Sequence, residues 1–125
     1  MLDIIPVPAF TDNYIWLLHD GRHAVAVDPG EAEPVVSFLD ANDLELKAIL
    51  CTHHHGDHIG GIAKLRELYN VPVYGPRLEN ISGVTHPLGE GDKVSLAQPA
   101  LECDVIDIRG HTRGHIGYQI GRAHV

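Results

Sequence analysis

Basic residues are scarce: 9 Lys and Arg stand against 17 Asp and Glu in 125 residues, a formal net charge of −8 with histidine neutral. Nucleic acid and anionic membrane surfaces need clustered cations, so the balance argues against both as partners. No run of eighteen apolar residues occurs, which excludes a membrane-spanning helix, and the opening Met1-Leu2-Asp3-Ile4-Ile5-Pro6 lacks the cationic start of a secretory signal. Cysteine is limited to Cys51 and Cys103, too few and too far apart for a disulfide framework. Both lie in apolar stretches and are expected as buried thiols in a reducing, cytoplasmic setting. Repeats, low-complexity tracts and linkers are missing as well. The length therefore points to one domain or part of a larger one, with 44% apolar residues to build a core.

Punctuation by Gly, Pro and Asn divides the chain into short elements. Strands are expected at Leu2–Val7, Tyr14–Leu18, Ala24–Val27, Leu46–Cys51, Val71–Tyr74, Lys93–Leu96, Leu101–Ile108 and Ile116–Ile120. The two prolines that end the first suit an edge strand. His19-Asp20-Gly21-Arg22 is a hairpin turn, with Asp-Gly as its signal. Pro34 suits a first helical turn, and Val35, Val36, Phe38 and Leu39 carry an amphipathic helix to about Ala41. A second helix is expected from Ile59 to Tyr69, with Ile62, Leu65, Leu68 and Tyr69 on its apolar side. Residues 75–92 read as loop. Strands followed twice by helices indicate an α/β architecture. The sequence stops at Arg122-Ala123-His124-Val125, where the pattern of a strand begins, so a single domain spanning 1–125 is expected to be incomplete at its C-terminus.

Histidine is what the chain has in excess. Thr52-His53-His54-His55-Gly56-Asp57-His58 puts four imidazoles and one carboxylate into six consecutive positions. In extended chain the side chains alternate, so His53 and His55 point together and His54 points away. Gly56 lets the chain turn, which presents Asp57 and His58 toward a neighbouring position, and Gly60 and Gly61 allow the following helix to start close against the sheet. H-x-H-x-D-H between an apolar strand and an amphipathic helix reads as most of a site for zinc, manganese or iron. The competing reading is a polar loop whose histidines cap the helix. It suits His54, which supports the ligands from behind or faces the helix.

A catalytic ion needs at least three protein ligands, so others must come from elsewhere. Gly110-His111-Thr112-Arg113-Gly114-His115 offers His111, framed by turn residues, and His115, which faces a core or bonds a backbone carbonyl. Asp28, before Pro29-Gly30, either orients a ligand histidine or satisfies turn amides. His19, His23, His86 and His124 lack a supporting pattern and are expected at the surface.

Thr52 to His58 resembles the signature of the metallo-β-lactamase superfamily, and Gly110-His111-Thr112 with Gly114-His115 resembles its next histidine motif. Ile5-Pro6 with Ala9-Phe10-Thr11-Asp12-Asn13-Tyr14-Ile15-Trp16 is similar to the opening of the glyoxalase II (hydroxyacylglutathione hydrolase) family. Val27-Asp28-Pro29-Gly30, Ala32-Glu33-Pro34-Val35 and Val73-Tyr74-Gly75-Pro76 are similar to that family too. The resemblance spans essentially all 125 residues. It implies the N-terminal half of an αββα sandwich and a metal-dependent hydrolase of glutathione thioesters. S-lactoylglutathione would give glutathione and D-lactate, a step of methylglyoxal detoxification.

By the same resemblance two zinc ions, or iron or manganese, would be bound, His53, His55 and His111 holding one and Asp57 and His58 the other. Asp57 would also act in catalysis by orienting the attacking hydroxide. The family's bridging aspartate, last histidine ligand and glutathione-gripping helices have no counterpart here. The chain is therefore expected to hold one ion tightly, to hydrolyse thioesters weakly, and to self-associate through an uncovered apolar sheet face, where a complete member would be monomeric. Another hydrolase of the superfamily (a β-lactamase or phosphodiesterase), a persulfide dioxygenase, or a truncated non-catalytic zinc-binding module stay open on the histidine motifs alone. The Asp12–Trp16 block favours glyoxalase II.

Overall fold

The computed structural model describes residues 2–9, 13–53, 60–78, 81–108, 116–120 and 123–124. Two sheets dominate. The first holds β1 (Asp3–Ala9), β2 (Asn13–His19), β3 (His23–Val27), β4 (Glu45–Leu50), β5 (Val73–Pro76) and β6 (His86–Leu88), side by side in chain order. The second runs β10 (Ala123–His124), β9 (Ile116–Ile120), β8 (Leu101–Asp107), β7 (Lys93–Leu96), with every pairing antiparallel. Strands β1 to β3 form antiparallel pairs, whereas β3 to β6 are parallel. Parallel neighbours need a crossover. Helices α1 (Glu33–Asn42) and α2 (Ile62–Tyr69) supply those between β3 and β4 and between β4 and β5.

The period-two alternation sorts side chains into two cores. One face of the first sheet (Val7, Ile15, Leu17, Ala26, Ile49) packs against Val35 and Leu39 of α1 and Ile62 and Leu65 of α2. Its other face (Leu18, Val25, Val27, Ala48, Leu50) packs against Val94, Cys103, Val105 and Tyr118 of the second sheet. The order is helices, sheet, sheet, which accounts for three layers of the expected αββα sandwich. β4 lies in the middle and is covered on both sides, so a segment that leaves its end starts from a buried position.

Local chemistry explains the element ends. Pro34 sits in the first turn of α1, where its missing N–H costs nothing, and Asp43 ends that helix in the left-handed region at φ 54°. The Asp20 carboxylate accepts the amides of Arg22 and His23 at 2.9 and 2.8 Å and closes the expected hairpin turn. β1 is indeed an edge strand and accommodates Pro6 and Pro8.

Two expectations need correction. The second helix begins at Ile62 rather than Ile59, because the Gly60–Gly61 pair is a poor helix start and forms a turn. Its apolar stripe is narrower too, since Leu68 is half exposed. The segment 75–92 is not all loop: β5 runs through Pro76, and β6 adds a three-residue edge strand containing Pro87, too short for any alternation to show. On the outer side of the second sheet the exposed residues Lys93, Ser95, Glu102, Asp104 and Gln119 are polar. Exposed apolar side chains lie instead on β1 and β2 (Ile4, Tyr14 and Trp16), on the side of the first sheet that faces the second. No helix among the described residues is long and apolar enough to cross a membrane.

Candidate metal centre

At the end of β4 the buried run Ile49-Leu50-Cys51 passes into Thr52 and His53, both still buried. Asp28, at the matching end of β3, meets them. Its backbone amide donates to the Leu50 carbonyl at 2.9 Å, and its φ of 51° turns the chain back. Aspartate tolerates that left-handed conformation better than most residues. The carboxylate faces Thr52 with both oxygens. Oδ1 accepts the Thr52 amide at 2.8 Å, and Oδ2 accepts the Thr52 hydroxyl at 2.6 Å. The same hydroxyl lies 2.8 Å from His53 Nδ1. Asp28 thus accepts a strand-end amide and is linked to His53 through the Thr52 hydroxyl.

Two backbone hydrogen bonds bracket the histidine cluster. Gly61, just past it, donates to the Pro29 carbonyl at 2.8 Å. A Cβ on Gly61 would sit 2.6–2.7 Å from backbone atoms of Pro29, Glu31 and Ala32, so glycine is what permits this approach. Ile116, the first residue after the second histidine motif, donates its amide to the Thr52 carbonyl at 2.9 Å. The segment carrying His111 and His115 therefore rejoins the sheet one hydrogen bond from where the His53–His58 segment departs.

Tyr118 secures the same strand end from the opposite sheet. Its buried hydroxyl donates to the Cys51 carbonyl at 2.7 Å. In the parallel β4–β5 ladder the Ile49 amide bonds Pro72 O and the Cys51 amide bonds Tyr74 O, so the next return donor, to Cys51 O, would be residue 76. That residue is Pro76 and has no N–H. The tyrosine hydroxyl stands in for it. Burial, and then the Cys51 thiol and the Asp28 carboxylate nearby, hold this phenol well above its ordinary range, so it remains a donor. Cys51 and Cys103 are buried, unbonded thiols. Burial and Asp28 push Cys51 far up, and burial with Asp104 pushes Cys103 up to about 11.

Of the expected ligands, His53 is placed, buried and held through Nδ1. His54, His55, Asp57, His58, His111 and His115 lie outside the described residues. Among the described residues no group of three His, Cys, Asp or Glu side chains converges. His19 accepts the Gly21 amide at its turn, His23 pairs with Asp20 at 3.3 Å, and the exposed His86 stacks on Tyr74. The side chain of His124 is outside the described set. Thr52 and Tyr118 were not singled out from sequence. A hydroxyl next to the first histidine is a signal for Thr52, whereas Tyr118 becomes visible only once Pro76 is known to face Cys51. An imidazole met by a hydroxyl at one ring nitrogen is a common way of orienting a metal-ligating histidine, and His53 fits a borderline metal ligand.

The chain is similar to known proteins in sequence and in fold. The chain is 52% identical over 118 residues to the hydroxyacylglutathione hydrolase of Nitrosomonas eutropha, covering 94% of this chain and 46% of that protein. It is 45% identical over 125 residues to that of Thiobacillus denitrificans, covering all of this chain and 48% of the relative. The chain thus spans about half the length of the curated relatives it matches. Its fold superposes on the crystal structure of ETHE1 from Myxococcus xanthus with a TM-score of 0.80 at 29% identity, over 99% of this chain and 55% of that one. BLEG-1, a B3 metallo-beta-lactamase, aligns with a TM-score of 0.75 at 25% identity, over 94% of this chain and 66% of that one. The sequence pattern of the Metallo-beta-lactamase superfamily matches residues 9–123, from the first strand through both histidine motifs, and the chain belongs to that superfamily.

Proposed function

We propose that this chain carries the metal-binding half of a hydroxyacylglutathione hydrolase, a thioesterase that converts S-lactoylglutathione and water to glutathione and D-lactate. The observation that carries the reading is the 52% identity to a hydroxyacylglutathione hydrolase across 118 residues that include both histidine motifs. Identity to the β-lactamase BLEG-1 is half that. His53, His55 and His111 would hold one ion, and Asp57 and His58 would belong to a second, with zinc, iron and manganese all suited to such donors. When bound, such ions make water nucleophilic near neutral pH and take up charge that develops on the thioester carbonyl oxygen.

The chain's own residues have narrower roles. Asp28, through Thr52, keeps the His53 ring in one orientation. Asp57 would align the attacking water. Tyr118 and Ile116 tie the strand after the second motif to the strand end that precedes the first. The remaining ligands and the groups that grip the anionic glutathione would come from the half of the relatives that this chain does not match. The two unbonded buried thiols support a reducing, cytoplasmic compartment.

Metal analysis and a hydrolysis assay test this reading. The 125-residue chain is expected to retain about one zinc equivalent and to cleave S-lactoylglutathione slowly, yet in preference to a β-lactam or a persulfide. Two tightly held equivalents would refute the split of ligands, and preference for a β-lactam would refute the substrate class.

A further inference from the structure

We propose that Thr52 sets the tautomer of His53, its hydroxyl accepting the Nδ1 proton so that the ring offers Nε2 to a metal. The last clause rests on the reading of His53 as a ligand; the tautomer does not. A threonine hydroxyl has one proton and two lone pairs, and an ionised carboxylate can only accept. Thr52 Oγ1 lies 2.6 Å from Asp28 Oδ2, so its proton points there. It also lies 2.8 Å from His53 Nδ1. With its proton spent on Asp28, the hydroxyl can only accept at that contact, so Nδ1 carries the hydrogen.

The carboxylate cannot easily rotate out of this arrangement, because Oδ1 is engaged by the Thr52 amide at 2.8 Å. Asp28, Thr52 and His53 are 9%, 5% and 7% exposed. Such shielding from water strengthens charge-assisted hydrogen bonds and makes an unpaired polar group costly. The direction of every proton in the chain Asp28–Thr52–His53 thus follows from one fact, that a backbone amide and a carboxylate each have a single possible role. A neutral imidazole protonated at Nδ1 has its lone pair on Nε2. Binding a cation there requires no proton shift, so the ring is prepared for the ion in its absence.

Three substitutions separate this device from a merely structural role. Thr52→Val keeps the shape and removes the hydroxyl, while Thr52→Ser keeps the hydroxyl. Asp28→Asn keeps a residue that tolerates the φ of 51° but reverses the relay. The Thr52 amide can only donate, so the asparagine oxygen must face it and Nδ2 must face the hydroxyl. That hydroxyl then accepts from Asn and donates to His53 Nδ1, which forces the proton onto Nε2.

Long-range proton–nitrogen NMR of the metal-free 125-residue chain, above the ordinary imidazole range of pH, reads the tautomer directly. The His53 resonances are assigned by their loss in His53→Gln. The native chain and Thr52→Ser should show a pyrrole-type Nδ1 and a pyridine-type Nε2. Asp28→Asn should show the reverse, and Thr52→Val an averaged pair. Zinc competition titrations should show affinity falling about 10–100-fold in Thr52→Val and recovering in Thr52→Ser. An Nε2-protonated ring in the native chain, or a tautomer unmoved by both Asp28→Asn and Thr52→Val, overturns the proposal. If the tautomers behave as described but His53→Gln leaves zinc binding unchanged, the hydrogen-bond assignment is upheld and the metal reading fails.

Discussion

Replacing Tyr118 by Phe would remove a single oxygen from the contact between the sheets, and the expected cost follows from what that oxygen touches. The ring is fully buried and remains so in the variant, so packing is nearly unchanged. What disappears is the 2.7 Å hydrogen bond to the Cys51 carbonyl, together with a longer 3.4 Å contact to the Tyr74 carbonyl. A buried acceptor left without a donor costs ~1–3 kcal/mol. For a domain of this size each kcal/mol lowers the melting temperature by roughly 3–5 °C, which gives a fall of about 3–15 °C by calorimetry. If the hydroxyl were incidental, Phe would be neutral or stabilising, because burying a hydroxyl is itself unfavourable. The Pro76 argument sharpens the test. Pro76→Ala places an N–H where the parallel ladder would aim it at Cys51 O. In that background Tyr118→Phe should cost less, with a coupling of ~1 kcal/mol in the double-mutant cycle. Equal penalties in both backgrounds would refute the claim that the tyrosine replaces a missing backbone donor.

Other outcomes are checkable with modest effort. Neither thiol should react with a disulfide reagent at neutral pH in the native chain, since burial keeps both protonated, whereas two should react after denaturation; rapid native labelling would contradict this. The amides of His23 and then Arg22 hold the exposed Asp20 carboxyl at about 2, below the ordinary 3.8. A depressed value means that its support of the hairpin turn is present above the ordinary value and is lost as pH falls through about 2. A carbon-detected titration should place the midpoint there, with the Arg22 and His23 amides shifting in step, and a midpoint near 3.8 would count against the turn geometry. Self-association, if it occurs, should run through Trp16 and Tyr14, which are 41% and 53% exposed on one side of β2. Trp16→Glu should then abolish concentration-dependent sedimentation without a large change in melting, and a native chain that is monomeric at every concentration would remove the premise.

What could be read from sequence divides along the range of the interaction. Strands β2 to β4, the hairpin at Asp20-Gly21 and the Pro34 helix start are encoded by neighbours in the chain, and they lie where the local pattern puts them. β6 could not be read, because three residues including a proline have no period and only the β5 edge recruits them. The candidate site shows the same division. His53 stood out by composition, and Asp28 by its place at a strand end, but sequence alone left Asp28 with two competing roles. In the structure one of its oxygens accepts the Thr52 amide and the other the Thr52 hydroxyl, 24 residues away in the chain. Tyr118 is legible only as the answer to a defect elsewhere, the missing N–H of Pro76, on another strand of the opposite sheet. A proline inside a covered strand leaves a carbonyl that must be satisfied from outside its own sheet. Here the donor comes from the strand that follows the second histidine motif, so the repair also ties that motif to the strand end bearing the first.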